Sequence, residues 1–154
     1  MWFKSKEFLE KGLVLFYVGN ERNAGQILAN QRENLTRDAV FNAAKKMVIL
    51  AEELKNSLNA EKTANFGEIL HHGWLLKKKL ADNISNPVLD ENYEEGLKNG
   101  AVGGKLLGAG SGVFFLFYCE PENQPRLRKA LKLREMEFKF EDEGSNLLLD
   151  LRWR

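Results

Sequence analysis

The residues best suited to chemistry surround one segment, Gly104-Lys105-Leu106-Leu107-Gly108-Ala109-Gly110-Ser111-Gly112, which runs directly into Val113-Phe114-Phe115-Leu116-Phe117-Tyr118. Gly108, Gly110 and Gly112 alternate with the small residues Ala109 and Ser111 between two strand-like stretches. Glycine at this density opens φ > 0 and lets a ligand or a second backbone approach the main chain closely. Successive amides in such a loop converge on an anion when αR and αL conformations alternate. The Ser111 hydroxyl adds a donor, while its Cβ narrows the backbone geometry. The plainer alternative is a tight hairpin turn, although a two-residue turn requires fewer glycines than this. Neither common phosphate loop fits. Lys105 is followed by Leu106 rather than Ser or Thr, and the next segment reads as strand rather than helix.

Cations lie at several points around this loop. Two orientations are open to Lys105: toward a cleft as a point charge for phosphate, or outward into solvent. Lys77-Lys78-Lys79 suits either attraction of a phosphorylated substrate or a solvated helix end. Arg22, after the first strand, carries a guanidinium fit for bidentate phosphate contact. His71 and His72 are adjacent, so on a helix their side chains diverge by about 100° and chelate one ion poorly. Cys119 ends an apolar strand without a base nearby in sequence and is expected to be buried and inert.

The elements that must position these groups follow from periodicity. Leu13 to Val18 is continuously apolar and closes on Gly19-Asn20, which predicts a buried strand. Val40, Ala44, Met47, Ala51, Leu54 and Leu58 recur at steps of three and four, marking one helix face. Thr36 is its expected N-cap, with Asp38 in the first turn. Phe66, Ile69, Leu70, Trp74, Leu76 and Leu80 predict a second helix that ends in the lysine run. Asn86-Pro87 starts a third helix holding Leu89, Tyr93 and Leu97, and Asn99-Gly100 stops it. Residues 101–107 and 113–119 read as two strands joined by the glycine-rich turn, hence an antiparallel hairpin. Pro121 and Pro125 open a short helix with Leu127, Ala130 and Leu131. Phe138 and Phe140 alternate with Glu137, Lys139 and Glu141 as a half-buried strand. Glu143-Gly144-Ser145 then turns into a last apolar segment, Leu147 to Leu151. The sum is an α+β fold. It is a ferredoxin-like βαββαβ sandwich, with an antiparallel sheet, helices on one face and extra helices in the first crossover.

Length and balance narrow the function classes. The 154 residues are expected to form a single domain, 1–154, with 44% hydrophobic residues for its core. Lys plus Arg number 23 against 22 acidic residues, a net charge of +1, which opposes broad nucleic-acid binding. The aromatic run in residues 113–118 also suits a buried strand better than an RNA-stacking one. One cysteine excludes an internal disulfide and suits a reducing cytoplasm. No run reaches membrane-span length, and Met1-Trp2-Phe3-Lys4-Ser5-Lys6-Glu7 lacks a signal-peptide core.

Residues 103–112 resemble the third, C-terminal signature of the GHMP small-molecule kinases, most nearly the bacterial sugar kinases acting on heptose 7-phosphate. Leu13 to Gly19 with Arg22 and Ala24, Phe66 to His71, Gly73-Trp74 and Ile84-Ser85-Asn86-Pro87 are similar to the same sugar kinases. The resemblance implies a C-terminal kinase domain in which Gly108, Ala109, Gly110, Ser111 and Gly112 line the cleft near the nucleotide phosphates and the sugar. Lys105 and Arg22 are the candidate substrate contacts. It departs from the family at Ser111, where glycine is usual, at Val113, and near His72, where relatives often carry an acidic residue. ATP and Mg2+ are expected only in a complete two-domain enzyme, because the family places its phosphate cradle and magnesium ligand mainly in an N-terminal domain. No segment here resembles that domain, so a truncated product, an excised fragment or half of a split enzyme is expected, inactive alone. The implied partners are a sugar phosphate, ATP and the N-terminal kinase domain in cis or trans, with no nucleic acid and no membrane. The alternative is a free-standing small-ligand-binding or regulatory module without catalysis.

Overall fold

The structure, a computed structural model, describes residues 2–19, 24–109 and 113–141. Among the described residues ten elements follow one another. They are α1 (Trp2–Gly12), β1 (Leu13–Gly19), α2 (Ala24–Asn34), α3 (Asp38–Asn59), α4 (Phe66–Lys78) and α5 (Pro87–Lys98). Then come β2 (Ala101–Leu106), β3 (Val113–Cys119), α6 (Gln124–Leu131) and β4 (Arg134–Met136). The strands form one sheet in the order β2-β3-β1-β4, with every neighbouring pair antiparallel. This is the arrangement of an α+β ferredoxin-like sandwich, with α2 to α5 filling the first crossover.

Strand alternation divides the core into two clusters. Val14 and Phe16 of β1 and Phe115, Phe117 and Cys119 of β3 face one way. They meet Ile27 of α2, Trp74 of α4, Leu89 and Tyr93 of α5, and Leu127 of α6. Aromatic rings organise this side: Trp74 meets Phe115 edge-on at 5.9 Å and 87°, and Tyr93 stacks on Phe117 at 5.7 Å and 21°. Leu13 and Tyr118 point to the other face and pack with Leu9 of α1 and Phe66 at the start of α4. The main helical layer therefore covers one face, and α1, with Leu54 and Leu58 of α3 and the start of α4, adds cover on the second.

Several local expectations hold and others change. Asn86 caps α5, its side-chain oxygen accepting the Leu89 N–H at 3.0 Å, and Gly100 at φ +105° turns the chain out of that helix. Thr36 is not the cap of α3. Arg37 occupies that position without a side-chain hydrogen bond, while the Thr36 hydroxyl donates back to the Glu33 carbonyl at 2.9 Å. Among the described residues the last strand lies at 134–136 rather than around Phe138 and Phe140. Leu15 pairs with Met136, and β1 begins only two residues earlier, so the ladder has little room to continue. The Phe140 N–H donates instead to a Glu10 carboxylate oxygen on α1 at 3.0 Å. The turn at 143–145 and the apolar segment 147–151 lie outside the described residues.

One contact sets the position of α4. A Cβ on Gly103 of β2 would stand 2.0 Å from the Gly67 carbonyl oxygen, and a Cβ on Gly67 would stand 2.7 Å from Cβ of Val102. Helix backbone thus rests directly on strand backbone, which only glycine at both positions permits. Gly103→Ala is expected to destabilise the fold by about 3 kcal/mol or more in urea unfolding, because the helix must be lifted off the strand. Gly73, on the same helix, has nothing within 4 Å of a built Cβ. Gly73→Ala is expected to stabilise by up to about 1 kcal/mol. Equal effects for the two variants would refute the direct-contact reading.

Candidate functional site

Helix and strand rise now decide which side chains reach the loop. From Gly67 to Lys77 the helix climbs about 15 Å. From Gly103 to Gly108 the strand and its extension climb about 17 Å. Starting from the shared contact, α4 therefore delivers Lys77 to the height of the glycine loop, and the Lys77 ammonium donates to the Gly108 carbonyl. Gly108 stands at φ +86° with open space around its α-carbon, a conformation that L side chains adopt at a cost. The next carbonyl, of Ala109, accepts from Gln31 Nε2 of α2 at 3.1 Å. Asn34, three residues on along α2, donates to the Leu80 carbonyl at 3.1 Å and ties α2 to the end of α4. Two helices thus grip two consecutive carbonyls of the loop. Carbonyl and N–H of one trans peptide point in opposite directions, so the Ala109 N–H is turned away from Lys77.

Lys105 lies on the side of β2 opposite buried Leu106 and is half-buried. It does not simply stand in solvent. Together with Lys77 and Trp74 it lines a cavity of about 180 Å³ between α3, α4 and β2, whose other walls are apolar, including Leu54 and Leu70. Burial, with the Lys105 charge beside it, pushes the Lys77 ammonium down to about 8. The indole N–H of Trp74, fully buried, has no acceptor among the described residues.

The three lysines of the run separate by role. Lys77 faces the loop, Lys78 pairs with Asp90 at 2.9 Å, and Lys79 caps the helix exposed. Sequence reasoning treated them as one patch and missed Gln31. The available signal was position: Lys77 falls three residues after Trp74 and seven after Leu70, on an otherwise apolar stripe. Of the residues singled out from sequence, Gly108, Ala109 and Lys105 come together, whereas Arg22, Gly110, Ser111 and Gly112 lie outside the described residues.

The remaining candidates are structural. His71 Nδ1 and the Tyr93 hydroxyl share a hydrogen bond of 2.8 Å with their rings stacked, and burial followed by the charges of His72 and Lys78 holds His71 below its usual range. Burial pushes the Tyr93 hydroxyl up to about 12. The Cys119 thiol donates to the Gly100 carbonyl at 3.3 Å, and burial pushes it up to about 11, too high for a nucleophile at neutral pH. Among the described residues no helix is long and apolar enough to cross a membrane.

A family model described as GHMP kinases C terminal matches residues 50–136, from the middle of α3 through β4. The chain belongs to the GHMP kinase family as a C-terminal domain. It is 30% identical over 146 residues to a D-glycero-alpha-D-manno-heptose 7-phosphate kinase of Campylobacter jejuni, covering 93% of this chain and 42% of that protein. The chain thus spans less than half the length of that relative. Among solved structures, mevalonate kinase of L. major with R-mevalonate superposes with a TM-score of 0.67 at 17% identity, over 78% of this chain and 37% of that one. A D-glycero-D-manno-heptose 1-phosphate kinase from Bacteroides thetaiotaomicron superposes with a TM-score of 0.57 at 22% identity, over 92% and 37%. These two share the fold with this chain.

The depressed Lys77 has a measurable consequence. In the unfolded chain it titrates near 10.5, so between about pH 8 and that value the unfolded state holds a proton that the folded state has released. Stability contributed by this group therefore rises with pH across that window. Lys77→Met is expected to raise Tm at pH 7, with the gain over the wild-type chain shrinking toward pH 10.5. A gain that stays constant with pH would show that Lys77 is not desolvated in the fold.

Proposed function

We propose that this chain is the substrate-side half of an ATP-dependent kinase acting on a phosphorylated sugar of the heptose phosphate type. The observation that carries this reading is the meeting of Lys77 and Lys105 beside the glycine loop of a GHMP kinase C-terminal domain. The 30% identity to a heptose 7-phosphate kinase across nearly the whole chain supports the substrate class. In this reading Gly108, Ala109, Gly110, Ser111 and Gly112 form one wall of the cleft near the nucleotide, and Lys105 and Arg22 bind substrate.

The residues present fit part of the cofactor requirement. Loop amides of this kind suit phosphate oxygens, and ATP supplies the transferred phosphoryl group when bound. A magnesium ion finds no such match, because the lysine cavity has no carboxylate in its walls. Membership of the GHMP kinase family supports placing the metal ligands and the base that prepares the acceptor hydroxyl in an N-terminal domain, supplied in cis or trans. What this chain contributes is positioning: Gln31 and Lys77 hold the loop carbonyls and fix the direction of the intervening amide.

The test joins this chain to the N-terminal half of the Campylobacter jejuni relative, in one polypeptide or as two, and follows ADP release with heptose and other sugar phosphates. ATP-dependent phosphorylation is expected with both halves present, and Lys105→Ala should raise KM for the sugar phosphate about tenfold with a smaller effect on kcat. A folded two-domain assembly without activity on any sugar phosphate would overturn the proposal in favour of a ligand-binding module.

A further inference from the structure

The cavity beside the loop has a one-sided polar character. Among the described residues its only charged lining residues are Lys77 and Lys105, both cations, set beside the Trp74 ring. The Trp74 N–H lacks an acceptor, and neither lysine has a carboxylate partner among the described residues. The contrast with their neighbours is informative. Lys78 pairs with Asp90, Lys11 with Glu7, and Arg128 with Glu135 at 2.5 Å. Two cations brought together and partly removed from water without a counter-charge destabilise a fold, unless an anion compensates them when bound.

We propose that Lys77 and Lys105 form a subsite for a dianionic phosphate monoester, lying on the opposite side of the Gly108–Ala109 peptide from the loop amide. The two sides follow from the peptide itself: Lys77 holds the Gly108 carbonyl, so the Ala109 N–H points away. One loop then separates two phosphate-bearing groups. Amides on one side suit the nucleotide, and the lysine pair on the other takes the phosphate already carried by the acceptor. This assignment of the two phosphates rests on the kinase reading; the anion site itself does not. Two cations neutralise a dianion, whereas a carboxylate would leave one charge uncompensated. The apolar remainder of the cavity, with Leu54 and Leu70, favours a carbon chain behind the phosphate over a second charged group.

The experiment uses the full chain alone, without nucleotide or partner domain. Calorimetric titration with inorganic phosphate, glucose 6-phosphate, glucose, succinate and ATP separates the sources. Inorganic phosphate and glucose 6-phosphate are expected to bind, glucose and succinate at least tenfold more weakly. Lys77→Gln and Lys105→Gln should each weaken phosphate binding about tenfold, Lys77→Arg should restore most of it, and Lys79→Gln should leave it unchanged. Thermal unfolding of each variant verifies the fold. Wild-type affinity should also fall above about pH 8, where free Lys77 loses its proton, and Lys77→Arg should abolish that fall. Phosphate binding insensitive to both glutamine variants, or succinate binding as well as phosphate, would overturn the subsite. ATP binding more tightly than glucose 6-phosphate, with loss in the same variants, would overturn its assignment to the acceptor. Phosphate binding without activity in the two-domain assembly would remove the kinase reading and leave the subsite standing, and the reverse result would do the opposite.

Discussion

The molecule depends on a contact that contains no side chain at all. Gly67 of α4 and Gly103 of β2 bring helix and strand backbones together, and any Cβ on Gly103 would fall on the Gly67 carbonyl. Three consequences follow from that closeness. Trp74, two turns along α4, reaches the sheet to meet Phe115 edge-on. His71, one turn along, meets Tyr93, whose hydroxyl lies 3.4 Å from the Gly104 carbonyl. Lys77 arrives level with Gly108 and closes the hydrogen bond that orients the loop. A helix seated a few ångströms higher would lose all three, since no flexible side chain sits at the contact to absorb the shift.

Much of this architecture was legible in the sequence because it rests on local rules. The hairpin of β2 and β3 shows in the switch from helical to alternating periodicity, and α5 shows in Asn86-Pro87 and Asn99-Gly100. Elements set by distant partners were not legible. Helix α1 commits Leu9 to the core, but Ser5 and Lys6, one turn before it, are polar, so no apolar stripe announces the contact. Phe138 and Phe140 alternate as a strand would, yet β1 starts at Leu13 and leaves them too little strand to pair with. Thr36 has the residue type of a cap, but its hydroxyl is drawn to the Glu33 carbonyl in the turn ending α2. The same limit applies to the site. Glycines 108 to 112 announce a special loop, whereas the choice of Lys77 from three consecutive lysines depends on the register that Gly67 and Gly103 impose.

Lys77 and Lys78 form a natural comparison, adjacent in sequence and opposite in treatment. Lys78 has Asp90, which also accepts from the Ser85 hydroxyl at 2.9 Å. Lys77 has a neutral carbonyl and a second lysine, and burial holds it down to about 8. A chain selected only for stability would place an apolar residue or a paired cation there, since the position lies on the buried stripe of α4. Local rules broken without local compensation mark sites where another demand decides the residue. Here that demand is for positive charge beside the loop.

The carbonyls of the loop matter as much as its amides. A glycine-rich turn that only cradled phosphate would leave its carbonyls to solvent, yet those of Gly108 and Ala109 are taken by donors from two different helices. Because α2 and α4 are themselves joined through Asn34 and Leu80, the loop is braced by a closed set of hydrogen bonds rather than by one side chain. The Gly108 carbonyl fixed in this way also fixes the Ala109 amide that follows it. The direction of that amide is thereby set before any anion arrives, so it needs no ordering on binding. In the proposed kinase this bracing would hold the two phosphate-bearing partners apart at a fixed separation, a requirement for in-line transfer that a freely moving glycine loop would not meet.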